Sequence, residues 1–181
     1  MSFFNSLFGN SDKEVCVISD GDIPSDSIGS FNGERYTYGQ LRHQPIIPEV
    51  MQRITNPVAR EMARECNARN AREGFTMYKV DGEYCFEGLR VGPKVKIPSK
   101  PELLARLDGQ PLNAQNIRAL TYSILREELA RVAHCSIAEA ADIIGNQLDC
   151  APHEDISGYI FMVPNWAHKW FRHNGYVSKM K

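Results

Sequence analysis

The sequence lacks long hydrophobic runs, and none of its apolar stretches approaches the roughly 18 residues that a membrane-spanning helix needs. Its opening, MSFFNSLFGNSDKE, has no basic residue before the short apolar stretch, so a secretory signal is not expected either. The 5 cysteines are an odd set without C-x-x-C spacing, which favours free thiols in a reducing compartment over a disulfide framework. We therefore expect a cytoplasmic protein that does not contact a membrane.

An excess of charge of either sign is also missing. The 181 residues include 21 Lys and Arg against 22 Asp and Glu, and the formal net charge is -1 at pH 7. A uniformly basic nucleic-acid binder is therefore excluded, and binding to nucleic acid would need a local cationic patch. The length suits one domain, or one domain with an appended arm.

The N-terminal part of the chain shows little periodic apolar pattern. In residues 1–45 acids outnumber cations, and apart from the stretch VCVIS no apolar periodicity is present. The sequence predicts an extended acidic arm over residues 1–45 and an α+β globular domain over residues 46–181, which ends in a cationic aromatic segment. Because an arm of this composition needs a surface to lie on, we expect a protein partner or self-association into an oligomer.

The strongest local signal for a strand pair is Asp81-Gly82 between two aromatic-rich runs. Both central residues of a type I′ turn need positive φ, which Asp and Gly tolerate, so a β-hairpin is predicted at 75–88. The segment KVKIP is a candidate third strand, and ISGYIFMVP is predicted to be a buried strand that returns to the hairpin sheet. We predict an α+β fold in which this small antiparallel sheet packs against several helices beside the extended arm.

Helix boundaries are predicted from capping signals. The boundaries are Asn56 with Pro57, Gly74, Ser99 with Glu102, Asn113, and Ser136 with Glu139. In the first helix, Val58, Met62 and Cys66 lie four apart and are predicted to face the core. The opposite face, which includes Arg64, Glu65 and Arg69, is interpreted as a solvated ion-pair surface rather than a phosphate-binding track.

The sequence contains no complete catalytic motif. Cys135 directly precedes the predicted helix start at Ser136, where the helix dipole lowers the pKa of a thiol. If the chain is an enzyme, the candidate catalytic residues are Cys135, His153 and His168. The competing interpretation, which we favour, is a structural thiol and ordinary histidines.

The residues with side chains suited to metal binding are His134, Cys135, Cys150 and His153. They supply zinc-type ligands, but His134 and Cys135 are adjacent, and both cannot easily reach one ion. The acidic residues Asp20, Asp22 and Asp26 do not have the spacing of a calcium loop. We therefore expect no metal and no cofactor.

Two windows of the sequence, residues 88–101 and 156–181, contain cations and no acid. Aromatic residues next to cations can stack on bases, follow phosphates or anchor a protein neighbour. The candidate binding residues are Arg90, Lys94, Lys96, Lys100, Trp166, Lys169, Trp170, Arg172 and Lys179. The alternatives are that the tryptophans close the core and that the windows are solvated loops far apart in space.

Together these patterns predict a non-catalytic interaction protein. It would be a subunit of a larger macromolecular assembly, or a factor that contacts nucleic acid through basic aromatic surfaces. The alternative is a small cysteine- or histidine-dependent hydrolase or nuclease.

Overall fold

The computed structural model describes residues 15–18, 30, 31, 34, 35, 38–43, 47, 53–171 and 176, and these form an α+β fold, as predicted. The helices are α1 (Tyr38–Leu41), α2 (Pro57–Glu73), α3 (Lys100–Arg106), α4 (Ala114–Ala133), α5 (Ile137–Asp142) and α6 (Asn165–Trp170). The strands are β1 (Val15–Val17), β2 (Ser30–Phe31), β3 (Glu34–Arg35), β4 (Tyr78–Val80), β5 (Glu83–Cys85), β6 (Val91–Lys96), β7 (Cys150–Glu154) and β8 (Tyr159–Pro164). A 3-10 turn (Glu87–Leu89) precedes β6, and a π-helical segment (Ile143–Gln147) extends α5.

The predicted hairpin is confirmed as β4 and β5. Asp81 has φ 50° and Gly82 has φ 79°, as the two positions of a type I′ turn require. The antiparallel register places Tyr78 opposite Cys85. On the other side of β4, β1 pairs antiparallel and completes a three-stranded sheet in the order β1-β4-β5.

The predicted strand ISGYIFMVP does not return to the hairpin sheet, and that prediction was wrong. Its strand, β8, lies at the centre of a separate antiparallel sheet in the order β6-β8-β7, and the candidate strand KVKIP contributes to β6 in that sheet. The short turn through Gly158 makes β7 the immediate neighbour of β8. The sequence pattern of β7, CAPHE, does not predict a strand, because proline and acidic residues are unfavourable in a typical strand.

The capping signals are confirmed, but the buried face of α2 differs from the predicted one. Asn56 accepts from the backbone N–H groups of Val58 and Ala59 at 3.0 and 3.1 Å, and Gly74 ends the helix with φ 69°. The residues of α2 that are buried are Ala59, Ala63, Cys66 and Asn70, whereas Val58 and Met62 lie half-buried on its flank. The two alanines leave space for the helix to lie close to its neighbours.

Parts of the predicted arm that the structure describes contact the globular domain. Ile18 is buried, and its N–H donates to the Met77 carbonyl at 3.2 Å. The Tyr38 hydroxyl donates to the Phe75 carbonyl at 2.6 Å and accepts from the Met77 N–H at 2.9 Å. Within residues 1–45 the structure also describes β1, β2, β3 and the remainder of α1, and residues 1–14, 19–29, 32, 33, 36, 37, 44 and 45 lie outside the described residues. The domain boundary at residue 45 stays a prediction.

Candidate binding cleft

Two adjoining depressions lie between α2 and the segment from Glu87 to Lys94. The first has a volume of about 610 Å³ and is lined by residues that include Arg69, Arg72 and Arg90. The second has a volume of about 370 Å³ and is lined by residues that include Arg69, Arg90 and Lys94. Because Arg69 and Arg90 line both, we treat the two depressions as one surface feature. We call it the cationic cleft, defined by its four cations, Arg69, Arg72, Arg90 and Lys94. Three acids, Glu65, Glu73 and Glu87, also line it.

Local sequence explains how each wall of the cationic cleft is built. On α2, Arg69 and Arg72 are three residues apart and therefore share one side of the helix. On the other wall, β6 contains an irregularity between Val91 and Lys94, where Gly92 has φ 67°. A left-handed φ favours glycine, so the irregular path of β6 beside the cleft depends on Gly92.

Two of the cations are held by one carboxylate. The Arg90 Nε and the Lys94 Nζ lie 3.0 and 3.1 Å from the same oxygen, Oε1 of Glu87. The second oxygen, Oε2, is buried and has no hydrogen-bond partner among the described residues. The side chain of Glu87 is 11% exposed, so this ion-pair network lies at the edge of the interior.

Arg69 is also engaged within the protein, whereas Arg72 faces solvent. The Nη2 of Arg69 donates to the Arg90 carbonyl at 3.1 Å, and the thiol of Cys66 donates to the same carbonyl at 3.3 Å. Burial raises the pKa of Cys66, so it remains a thiol. Arg72 has a 67% exposed side chain and pairs with Glu73 at 3.4 Å, an exposed contact of little strength.

The structure brings some of the predicted binding residues to this cleft and leaves others elsewhere. Arg90 and Lys94 line it, whereas Lys96 and Lys100 are exposed and are not among the lining residues. Lys169 is exposed on α6. The side chain of Trp170, and all of Arg172 and Lys179, lie outside the described residues. Their binding roles stay predictions.

Trp166 connects the C-terminal aromatic segment to the cleft. It is half-buried against the core, and its ring centroid lies 6.1 Å from that of Phe75. Phe75 in turn is one of the residues that line the second depression. Trp166 therefore packs against a residue of the cleft wall, in agreement with the alternative that this tryptophan closes the core.

The sequence pattern does not single out Arg72, and it predicts a solvated face for Arg69. Their spacing on one side of α2 was visible in the sequence. What the spacing cannot show is that this side of α2 meets a cationic segment of β6. That proximity depends on the packing of two elements about twenty residues apart, and no local pattern encodes it.

Cys135, a candidate nucleophile, has the wrong electrostatic environment for an activated thiolate. Partial burial and the nearby Glu139 carboxylate raise the pKa of its thiol. The predicted helix start is present, since the Ser136 hydroxyl accepts from the Glu139 N–H at 3.1 Å. The helix terminus therefore does not produce the lowered pKa on which the nucleophile hypothesis depended.

The other two candidate catalytic residues lie side by side. The ring centroids of His153 and His168 are 5.3 Å apart, and His153 also packs against Phe86 at 4.4 Å. The Nε2 of His153 is 3.3 Å from Oδ1 of Asp155. His153 is, however, only 3% exposed, which leaves little access for a substrate.

Asp155 is the centre of a buried polar cluster that joins the two larger sheets. Its Oδ1 accepts from the Phe86 N–H at 2.7 Å, and its Oδ2 accepts from the Ser157 N–H at 2.9 Å and from the Cys85 thiol at 3.3 Å. Burial by itself would raise the pKa of Asp155, but its bonds with His153, Ser157 and Phe86 hold the pKa below its usual range. Burial and the Asp155 carboxylate raise the pKa of Cys85. The arrangement is that of a structural cluster.

The fold and the cleft define an α+β protein with a cationic surface cleft. No protein-family model, no curated protein and no solved structure matches the chain. Within the described part of the chain, no helix combines the length and the apolarity needed to cross a bilayer. Over the same residues, no group of three or more His, Cys, Asp and Glu side chains is placed to hold a metal ion.

Proposed function

We propose that this chain is a non-catalytic interaction protein that contacts single-stranded nucleic acid through the cationic cleft. It would act as a separate factor or as a subunit of a larger assembly. The observation that supports the proposal is that four cations, Arg69, Arg72, Arg90 and Lys94, line one cleft. They outnumber the acids that line it, Glu65, Glu73 and Glu87, in a chain whose formal net charge is -1. A local cationic surface of this kind attracts phosphates even when the whole molecule is not basic.

The composition of the cleft favours phosphate contacts over base recognition. The aromatic residues that line it, Phe75 and Tyr78, are 2% and 9% exposed, so their rings offer little surface on which bases could stack. Arginine and lysine side chains instead suit the charged backbone of a strand. We therefore expect binding that depends weakly on sequence and strongly on salt.

The test is titration of a fluorescein-labelled oligothymidylate by anisotropy at several salt concentrations, with Arg72→Gln and Arg64→Gln as matched variants. Both arginines are exposed on α2 and each pairs with a glutamate, but Arg64 is not among the residues that line the cleft. We expect Arg72→Gln to weaken binding and to reduce the slope of log K against log salt by about 0.7, the value for one phosphate on a single strand. Arg64→Gln should match the wild type. Equal behaviour of the two variants, or no binding by the wild type, would refute the proposal.

We also propose a cytoplasmic location, for which the free cysteines are the supporting observation. A protein partner or self-association remains part of the assembly alternative. Light scattering after size-exclusion chromatography, with and without the oligonucleotide, measures the mass of the protein under both conditions. A mass above that of one chain without nucleic acid would favour the assembly role.

A histidine-dependent hydrolase or nuclease is the second candidate, and one observation favours it. His153 and His168 lie together with Asp155 behind His153, an arrangement suited to acid and base catalysis. The burial of His153 is the physical argument against it. Cleavage of a labelled oligonucleotide that disappears in His168→Ala while the fold is retained would support this candidate over the binding role.

A further inference from the structure

The cations Arg90 and Lys94 already bind an anion, and that anion belongs to the chain itself. We propose that they form a phosphate subsite that the Glu87 carboxylate occupies in the unbound protein. A phosphate of the bound strand then displaces Glu87. This inference rests on the proposed function, because it names the part of the cationic cleft where one phosphate binds.

The geometry of the two cations suits a phosphate oxygen. The Arg90 Nε and the Lys94 Nζ converge on one point, Oε1 of Glu87, at 3.0 and 3.1 Å. Charged donors of this kind bind phosphate and carboxylate oxygens with similar geometry. The Oε1 atom of Glu87 therefore occupies the position at which a ligand oxygen would accept hydrogen bonds from both Arg90 and Lys94.

Other contacts keep the cations in place when the carboxylate leaves. A second donor of Arg90, Nη1, bonds to the Gly92 carbonyl. The Lys94 Nζ lies 4.7 Å from the centroid of the Tyr159 ring. Both contacts are independent of Glu87, so the subsite is preorganised for an incoming anion.

The hydrogen bonds of the Glu87 carboxylate are incomplete. Its Oε2 is buried and has no hydrogen-bond partner among the described residues, and a buried oxygen in that state loses its hydration without compensation. Moving the carboxylate into water restores that hydration and offsets part of the loss of the ion pairs. Asp155, by contrast, accepts at least one hydrogen bond on each oxygen and has no comparable reason to leave.

The displacement has a consequence for selectivity. A ligand must attract Arg90 and Lys94 more strongly than Glu87 does. A phosphate group can form several charged hydrogen bonds at once, whereas a neutral carbonyl cannot. Glu87 therefore excludes weak acceptors from the subsite and admits strong anions.

The experiment uses the same oligothymidylate titration with three variants of the full chain. Lys94→Gln removes a subsite cation, Lys96→Gln is its control on the same strand outside the cleft lining, and Glu87→Gln removes the internal anion. We expect Lys94→Gln to reduce the salt slope by about 0.7 and Lys96→Gln to leave it unchanged. Glu87→Gln should raise the affinity by roughly tenfold with the slope unchanged, because wild type and variant make the same phosphate contacts once the strand is bound.

A different pattern would overturn the inference. If Glu87 never leaves, Lys94→Gln has no effect on binding, and Glu87→Gln steepens the slope by adding contacts that the wild type does not make. If the network only supports the fold, Glu87→Gln lowers the melting temperature without raising the affinity. If Arg72→Gln weakens binding and Lys94→Gln has no effect on it, this inference is wrong, whereas the proposed function is still supported. If neither the wild type nor Glu87→Gln binds the oligonucleotide, both fail.

Discussion

Two largely buried carboxylates, Asp155 and Glu87, organise different regions of this protein. Asp155 is 0% exposed and accepts from two backbone N–H groups and a thiol, so each of its oxygens has a hydrogen-bond donor; the Nε2 of His153 also lies 3.3 Å from Oδ1. The side chain of Glu87 is 11% exposed, and one of its oxygens, Oε1, forms the ion pairs with both Arg90 and Lys94. The difference indicates that burial does not by itself make a charge structural. What matters is whether the surrounding groups complete its hydrogen bonds.

The kind of partner also differs between the two sites. The backbone donors to Asp155 come from Phe86, beside the hairpin sheet, and from Ser157, in the turn between β7 and β8. Such donors are fixed by the fold and lose little entropy on bonding. The partners of Glu87 are long side chains beside a cleft, which can exchange one anion for another.

The largest expected effect follows from breaking the Asp155 cluster. Asp155→Asn keeps the shape of the side chain but turns one acceptor into a donor that faces existing donors. We expect the free energy of unfolding to fall by about 3 kcal/mol. Chemical denaturation of the full chain measures this, with Glu87→Gln as the matched carboxylate-to-amide variant. If both variants lose the same stability, the contrast between the two carboxylates is wrong.

The pH dependence of stability sharpens the same contrast. The folded protein holds the pKa of Asp155 below its ordinary value of 3.8, so the ionised form is favoured by folding. The resulting stability is fully present above the unfolded pKa and is lost as pH falls through the folded pKa. We expect wild-type stability to decline below a pH of about 4, and the decline to be shallower in Asp155→Asn. Parallel curves of melting temperature against pH for the two proteins would contradict this.

The smallest change in stability is expected for a substitution of the neighbouring residue, Glu154. Burial raises its pKa although Thr121 donates to its Oε1 at 2.6 Å and Arg118 lies 3.7 Å from its Oε2. Folding therefore favours the protonated form, and stability is lost as pH rises through the folded pKa. Glu154→Gln retains an acceptor for Thr121 and removes the buried charge, so it should raise stability at neutral pH by about 0.5 kcal/mol.

The test for Glu154 is denaturation at neutral pH and at a pH below its unfolded pKa. The advantage of Glu154→Gln over the wild type should vanish at the lower pH, where the carboxyl group is protonated in both states. A variant that is less stable than the wild type at neutral pH would show that the ion pair with Arg118 outweighs the cost of burial. Arg118→Gln in the same series separates these two contributions.

Features that depend on neighbouring residues were predictable from the sequence. The hairpin at Asp81-Gly82 and the helix start at Asn56 are both confirmed, because each depends on the conformation and hydrogen bonds of a few adjacent residues. The basic window that contains Arg90 and Lys94 was likewise visible in the order of residues. That these two line a cleft was not, because the opposite wall comes from α2.

The sequence by itself determined the α+β class, the main caps and the hairpin, since short-range sterics and backbone hydrogen bonding act over a few residues. The tertiary structure alone decided that β8 belongs to a second sheet. It also decided that Ala59 and Ala63, rather than Val58 and Met62, face inward. Finally, it brought the ion pairs of Glu87 with Arg90 and Lys94 to the edge of a cleft that also contains Arg69 and Arg72. These outcomes depend on which faces of distant elements pack together. Packing is set by the mutual fit and desolvation of all the elements at once, and no single stretch of sequence encodes it.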